Sequence, residues 1–381
     1  MSAPALPPSP APQPPSAAST RLAPLAGGVF ALFLAIGLGS CAWALLTDRL
    51  SLWPEQVDRH ALLEGEITHH IAKELAKAPL PEAAARLERS ASWLLLGDTG
   101  PRVRQGCPGW LFLAEELDVP RQAAANARAR AQTVIELRQQ LAARHIQLLV
   151  AVVPDKSRIA ADQLCGLRRP AAFASRIADW TRMLSAARVP VLDLTAVLAP
   201  LGSNAFLRTD THWNETGAEA AARALAAYLQ ALPFQATPAR EFSRTALPPT
   251  TRPGDLVRLA GLDWLPPRLQ PTPEQPSQTQ VDSRVPPSAS DDLFGDGDLP
   301  NVAVIGTSFS RNSNFLPFLE QALGASVGRF AKDGGHFAGA ARDYFESPAF
   351  RQTPPQLLVW EIPERDLQSP GPEALRLDPR P

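Results

Sequence analysis

The stretch IQLLVAVVPDKS, Ile146–Ser157, carries an unbroken apolar run from Leu148 to Val153 that stops at Pro154. A strand with no polar alternation has both faces covered, which is the pattern of a parallel sheet flanked by helices. Its surroundings agree. RQAAANARARAQTVIELRQQLAARH before it and AAFASRIADWTRMLSAA after it are helical patterns, and VPVLDLTAVL is a second strand leading into a turn. Further on, NVAVIG, ASVGRF and PQLLVWEIPERDL are apolar strand patterns, the last two separated by the helical GGHFAGAARDYFES. Helices alternating with such strands predict an α/β fold of doubly wound, flavodoxin-like type. In such sheets sites form at the carboxyl ends of the strands.

The N-terminal part reads differently. Residues 1–21 are rich in proline and alanine without an apolar period, which predicts a disordered tail. Residues 22–47 contain no charged side chain, and about 20 apolar residues suffice to cross a bilayer core as a helix. The reading adopted is a single transmembrane anchor. A cleaved signal peptide ending near Ala42-Trp43-Ala44 and a lipobox at Leu38-Gly39-Ser40-Cys41 are the competing readings. All three put residues 48–381 outside the cytoplasm if Arg21 stays inside.

Charge and cysteine usage exclude some functions. The formal net charge is −1, with no basic stripe for a nucleic acid. No CxxC or zinc-spaced His/Cys cluster occurs, and no phosphate loop or G-x-G-x-x-G, so neither a metal nor a cofactor is expected. His60, His69 and His70 lie in a helical pattern over residues 55–90 and read as solvated or capping residues. Export permits a disulfide between Cys107 and Cys165; two buried free thiols are the alternative. SASWLLLGDTGPRVRQGCPGWLFLAEEL, from Ser90 to Leu117, suggests short strands and tight turns. The proline-rich residues 237–300 read as a loop excursion, with GDLVRLAGL as one short ordered piece.

Chemistry concentrates in two places. FLRTDTHWNETG sets Asp210 two residues before His212, ahead of a helix that a Thr216–Glu219 capping box would start near Gly217. In an extended segment residues i and i+2 face the same side, so the pair can share one cavity. Gly306-Thr307-Ser308-Phe309-Ser310 sits where a buried strand turns toward a helix, a place that exposes a serine beside backbone N–H groups. Serine needs a base to take its proton, and imidazole needs a carboxylate to fix its tautomer. Asp210, His212 and Ser308 supply those three groups.

The blocks GCPGWLFLAEEL, VPDKS, DTHWNETG, GDL, GTSFS and WEIPER occur in the order seen in the AlgX/AlgJ family, SGNH-hydrolase-like periplasmic proteins that acetylate bacterial exopolysaccharides such as alginate. The likeness spans most of residues 90–368 and favours an AlgJ-like member, because no C-terminal carbohydrate-binding module follows. The resemblance implies a triad in the order Asp210, His212, Ser308, with Ser310 as a turn or capping residue. Trp213 is expected either to stack on sugar or to pack in the core. Backbone N–H groups at Ser308, Gly334 and Gly335 are the expected oxyanion donors. Glu361 and Arg365 are expected to tie down the last strand, and His336 to be non-catalytic.

The resulting expectation is an O-acetyltransferase acting through an acetyl-serine on an exopolysaccharide. It would be anchored in the bacterial inner membrane with its catalytic domain in the periplasm. The resemblance also implies a membrane-bound O-acyltransferase partner as acetyl donor. An acetylesterase with the same triad and a non-catalytic subunit of an acetylation or secretion complex are the alternatives.

Overall fold

A computed structural model describes residues 17–53, 62, 65–285, 299–370, 375 and 377. The chain divides into two compact units at Ala91/Ser92, so the stretch expected to form one domain from residue 48 onward is itself divided. The predicted tail lies mostly outside the described residues, as does His60.

In the first unit, α1 (Ala17–Leu46) starts inside the segment expected to be a tail. From Pro24 to Leu46 its 23 residues are long and apolar enough to cross a membrane, about 34 Å at 1.5 Å per residue. Leu25, Phe30, Phe33 and Leu38 are all exposed. A helix apolar on every side suits lipid rather than water. Helices α2 (Glu66–Leu75) and α3 (Pro79–Leu96) follow. His70 Nε2 contacts the Ser51 carbonyl at 3.0 Å. Helix α3 runs six residues past Ser90, through a stretch expected to form short strands. Nothing in SASWLLL breaks a helix, since Ala and Leu are strong formers. The stop comes at Gly97, whose φ of 68° is the left-handed geometry of a helix end.

The second unit takes in the last turn of α3 from Ser92 and then a hairpin, β1 (Val103–Gln105) and β2 (Leu111–Leu113). Along the chain follow α4 (Ala123–Ala142), β3 (Gln147–Val153), α5 (Lys156–Ile159), α6 (Arg176–Ala186), β4 (Val191–Asp193), α7 (Thr195–Leu198) and α8 (Glu215–Gln230). Then come β5 (Glu241–Leu247), α9 (Asp255–Leu259), β6 (Gln278–Arg284), β7 (Val302–Gly306), α10 (Ser308–Arg311) and α11 (Phe315–Leu323). The last elements are β8 (Gly328–Ala331), α12 (Gly339–Glu346), α13 (Pro348–Gln352) and β9 (Leu357–Pro363). Five strands form one parallel sheet in the order β4-β3-β9-β7-β8.

Alternate residues of the central strands feed two cores. Val150, Val152, Ile305, Leu358 and Trp360 pack on the face covered by α4, α6 and α12. Leu149, Val153, Val304 and Val359 pack on the face covered by α8 and α11. This two-sided burial is what the unbroken apolar runs demand. The chain leaves β3 toward β4 on one side and β7 toward β8 on the other. A crevice therefore opens at the carboxyl ends beside central β9, the switch point of an open α/β sheet.

The proline-rich excursion is largely ordered. Strands β5 and β6 pair antiparallel from Glu241↔Arg284 to Leu247↔Gln278, with α9 between them in sequence. Both strands are mostly exposed and polar, so they carry no apolar alternation by which sequence could reveal them. Residues 286–298 of the excursion lie outside the described residues. The helix after DTHW starts at Glu215, capped by Asn214 Oδ1, which accepts from Gly217 N at 3.1 Å. The cap is thus two residues earlier than the Thr216–Glu219 box suggested.

Cys107 and Cys165 form a disulfide across 58 residues, and Cys107 N also donates to Gln163 O at 2.8 Å. The bridge ties the β1–β2 turn to the segment after α5. Loop-closure entropy for a loop of this length corresponds to about 4 kcal/mol. The Cys107→Ala/Cys165→Ala protein is expected to unfold earlier in denaturant by that order, and reductant is expected to shift only the wild-type curve. Coincident wild-type and variant curves would contradict this.

Candidate active site

The turn after β7 is built around one buried carboxylate. A Cβ on Gly306 would lie 2.4 Å from Ser310 Oγ and 2.6 Å from Glu361 Oε2, so only glycine fits. Glu361, on β9, accepts from Thr307 N at 2.6 Å, from Thr307 Oγ1 at 3.0 Å and from Ser310 Oγ at 3.1 Å. Thr307 in turn caps α10 by accepting from Phe309 N at 3.2 Å. Ser310 therefore has the turn role expected of it. Glu361 fastens this turn, beyond any role in the last strand. Phe309 is buried beneath, and Ser308 is left facing the crevice.

The opposite wall is the loop Phe206–Trp213, closed by an isolated bridge between its ends. Two of its carbonyls, with one from β2, are gathered by Lys156, which is fully buried. Nζ donates to Leu111 O at 2.6 Å, Arg208 O at 2.8 Å and Asp210 O at 3.0 Å, satisfying all three protons. Burial pulls the Lys156 ammonium down to about 8, against the pull of Glu116, Glu274, Asp210 and Asp255. The loop's N–H groups are gathered by Glu274, which accepts from Arg208 N and Thr209 N, both at 2.6 Å.

These two walls bring the expected residues together. His212 Nε2 lies 2.7 Å from Ser308 Oγ, and His212 Nδ1 lies 2.6 Å from Asp210 Oδ1. An ionised carboxylate only accepts, so Nδ1 carries the proton and Nε2 is free to accept from the serine hydroxyl. Burial alone would raise the Asp210 carboxyl. The hydrogen bond and charge of His212, with the N–H groups of His212 and Asp255, outweigh it and hold the group below its ordinary value.

One neighbour escaped the sequence reading. Asp255 Oδ2 lies 3.6 Å from His212 Nδ1, and Asp255 N donates to Asp210 Oδ2 at 3.1 Å. The GDL block was visible, but nothing local to it tells that α9 delivers its aspartate to a histidine 43 positions earlier. Among the described residues, Asp210, His212 and Asp255 are the one group whose carboxylate and imidazole atoms converge within 4.8 Å. A metal on Nδ1 would displace the bond that orients the ring, so the cluster reads as acid–base machinery.

The crevice has a volume of about 410 Å³ and is lined by Ser308, His212, Asp255, Arg252, Gly334 and Arg365, among others. Three expectations are resolved here. Trp213 is 0% exposed, packed between Phe309 and Phe315 at centroid distances of 5.0 and 4.9 Å, so its indole is a core residue and has no face for a sugar. Gly335 N donates to Lys332 O at 3.2 Å, which removes it as an oxyanion donor. Arg365 lines the crevice with its guanidinium 5.3 Å from the Phe309 ring, while its N–H donates to Asp155 Oδ1 at 3.0 Å.

Residues 103–364 match the family described as SGNH hydrolase-like domain, acetyltransferase AlgX. The chain is 33% identical over 359 residues to the probable alginate O-acetylase AlgJ of Pseudomonas aeruginosa, covering 90% of each. The chain belongs to the AlgX/AlgJ family of SGNH-hydrolase-like acetyltransferases. Its structure superposes on the solved O-acetyltransferase domain of Pseudomonas putida AlgJ with a TM-score of 0.59 and 31% identity, over 71% of this chain and 93% of that one. The likeness to Pseudomonas putida AlgX is shorter, 34% identity over 45% of this chain and 36% of that protein. Like these relatives, the chain is an O-acetyltransferase with a mostly parallel central sheet.

Glu361 yields a test of the turn. Burial raises its carboxyl above 4.5, against the bonds from Thr307 and Ser310. The folded state thus holds this proton more tightly than the unfolded chain, and the stability so contributed is present below pH 4.5 and lost as pH rises through the raised value. Glu361→Gln removes that loss. The stability of the Gln protein relative to wild type is expected to be lowest near pH 4 and to improve toward pH 7. Parallel melting-temperature curves across that range would refute the assignment.

Proposed function

We propose that this chain carries acetyl groups on Ser308 and delivers them to hydroxyls of a secreted exopolysaccharide. The observation that carries the reading is the 2.7 Å contact between Ser308 Oγ and His212 Nε2, backed by Asp210 at 2.6 Å, in a chain whose relatives are named alginate O-acetylases. His212 takes the Ser308 proton as Oγ attacks the acetyl carbonyl. The same proton passes to the departing donor group, leaving an ester on Ser308. A sugar hydroxyl then gives its proton to His212 and attacks that ester, and Oγ leaves with the proton returned. Each half-reaction passes through an oxyanion, for which the Ser308 N–H at the start of α10 is the proposed donor.

The proposed acceptor is an alginate-like polymer, following the relatives' names. Helix α1 is proposed to cross the bacterial inner membrane once, with the second unit in the periplasm. A membrane-bound O-acyltransferase is the proposed source of acetyl groups, as the family resemblance implies.

The test is incubation of the full-length protein in detergent with a chromogenic acetyl ester, with and without acceptor oligosaccharide. Acetylated sugar and a transient acetyl on Ser308 are the expected products. Ser308→Ala is expected to lose transfer by at least about 10³-fold, and Asp210→Asn by about 10⁴-fold through the wrong tautomer. Ester release that no acceptor diverts would identify a hydrolase instead, and full transfer by Ser308→Ala would end the proposal.

A further inference from the structure

We propose that Asp255 is a positioning residue of the acyl transfer, a second carboxylate that, beside Asp210, stabilises the imidazolium formed when His212 takes the Ser308 proton. The inference rests on the reading of Ser308 and His212 given above.

The placement of Asp255 is built. Gly254 before it has no room for a side chain, because a Cβ there would lie 1.9 Å from Thr209 O. That close approach brings the start of α9 against the Asp210 loop. Asp255 Oδ1 then accepts from Thr211 N at 2.7 Å and Oδ2 from the Thr211 hydroxyl, while its own N–H donates to Asp210 Oδ2. These bonds hold Oδ2 at 3.6 Å from Nδ1 of His212. The Asp210 side chain is 1% exposed and that of Asp255 19%, so Asp255 is the carboxylate on the crevice side.

The charges around His212 explain why one carboxylate falls short. On the Nδ1 side, Arg252 Nη2 lies 3.5 Å from Asp210 Oδ2, and Lys156 is bonded to the Asp210 carbonyl. Arg252 thus draws on the Asp210 carboxylate, while the Lys156 charge is shared among Glu116, Glu274, Asp210 and Asp255. On the Nε2 side stands the neutral Ser308, with Glu361 buried behind Thr307. Across the crevice, Arg102, Arg258, Arg365 and His336 are set against Glu115, Asp333 and Asp366. With Asp255 ionised, two carboxylates face Nδ1, and both offset the charge of a proton arriving on Nε2. Without it, the imidazolium would have only Asp210, a carboxylate already shared with Arg252, which disfavours proton transfer from serine. Burial, and then the charge of Asp210, raise the Asp255 carboxyl, while His212 and the Thr211 bonds oppose the rise.

The experiment is the pH profile of kcat/KM for ester turnover by the full-length protein, measured for wild type and for Asp255→Asn, Asp255→Glu, Thr211→Val and Ser308→Ala. In Asp255→Asn the acid limb, which reports His212, is expected to move down by about one pH unit and the plateau to fall about tenfold. Thr211→Val breaks the same hydroxyl contact without removing charge, and its limb is expected to coincide with wild type. Asp255→Glu is expected to lie between Asn and wild type. An unmoved limb in Asp255→Asn, or an equal displacement in Thr211→Val, overturns the inference. If the Asn protein fails to fold, the Glu protein decides: a displaced limb supports the assignment and a coincident one overturns it. Retained turnover in Ser308→Ala would instead remove the underlying reading.

Discussion

Strand β9 lies hydrogen-bonded between β3 and β7, and that central parallel pairing determines where every group of the site can be. Its register sets Val359 opposite both Leu149 and Val304. Glu361 follows two residues later, against the end of β7, and Glu364 and Arg365 come beyond the end of β3. A one-residue slip would send each of these side chains to the opposite face of the sheet. The apolar faces resist such a slip, because Leu358 and Trp360 belong to one core and Leu357 and Val359 to the other.

The polar groups beyond β9 are held by the same geometry. Glu364 is buried among arginines. Arg158 donates from Nη2 at 2.6 Å and from Nε at 2.8 Å, and Arg176 from Nε at 3.1 Å. Asp155 N also donates to Glu364 at 3.0 Å, and Arg176 pairs with the Asp155 carboxylate. Buried charges of this kind contribute little net stability over an apolar core, yet they are costly to disrupt once one partner is missing. Here they fasten the segment between β3 and α6 to the end of β9. That segment includes Lys156, whose ammonium collects the carbonyls of the Asp210 loop. The ion-pair cluster, the lysine and Glu361 therefore form a support behind the site, and neither Arg158 nor Arg176 lines the crevice.

Much of this was legible in the sequence. The unbroken apolar runs of β3, β7 and β9 identified buried parallel strands, and Ser308 at the end of one of them marked the crevice. Asp210 and His212 were legible because their two-residue spacing is local. Asp255 was not, since its relation to His212 depends on Gly254 sliding against Thr209. For Trp213 the sequence left a sugar contact and core packing both open; successive residues of an extended segment face opposite ways, and that turns the indole into the core under Phe309. The β5–β6 pair escaped notice because two polar strands 30 residues apart leave no periodic trace.

The sequence by itself determined the layering, the apolar N-terminal helix and the three side chains proposed for serine chemistry, because hydrophobic period and residue type are local properties of a chain. Only the tertiary structure decided the disulfide between Cys107 and Cys165, the burial of Glu361 and Lys156, and the second carboxylate at His212. Each of these is a contact between segments far apart in the chain, and such contacts exist only once the sheet has brought the ends of its strands together.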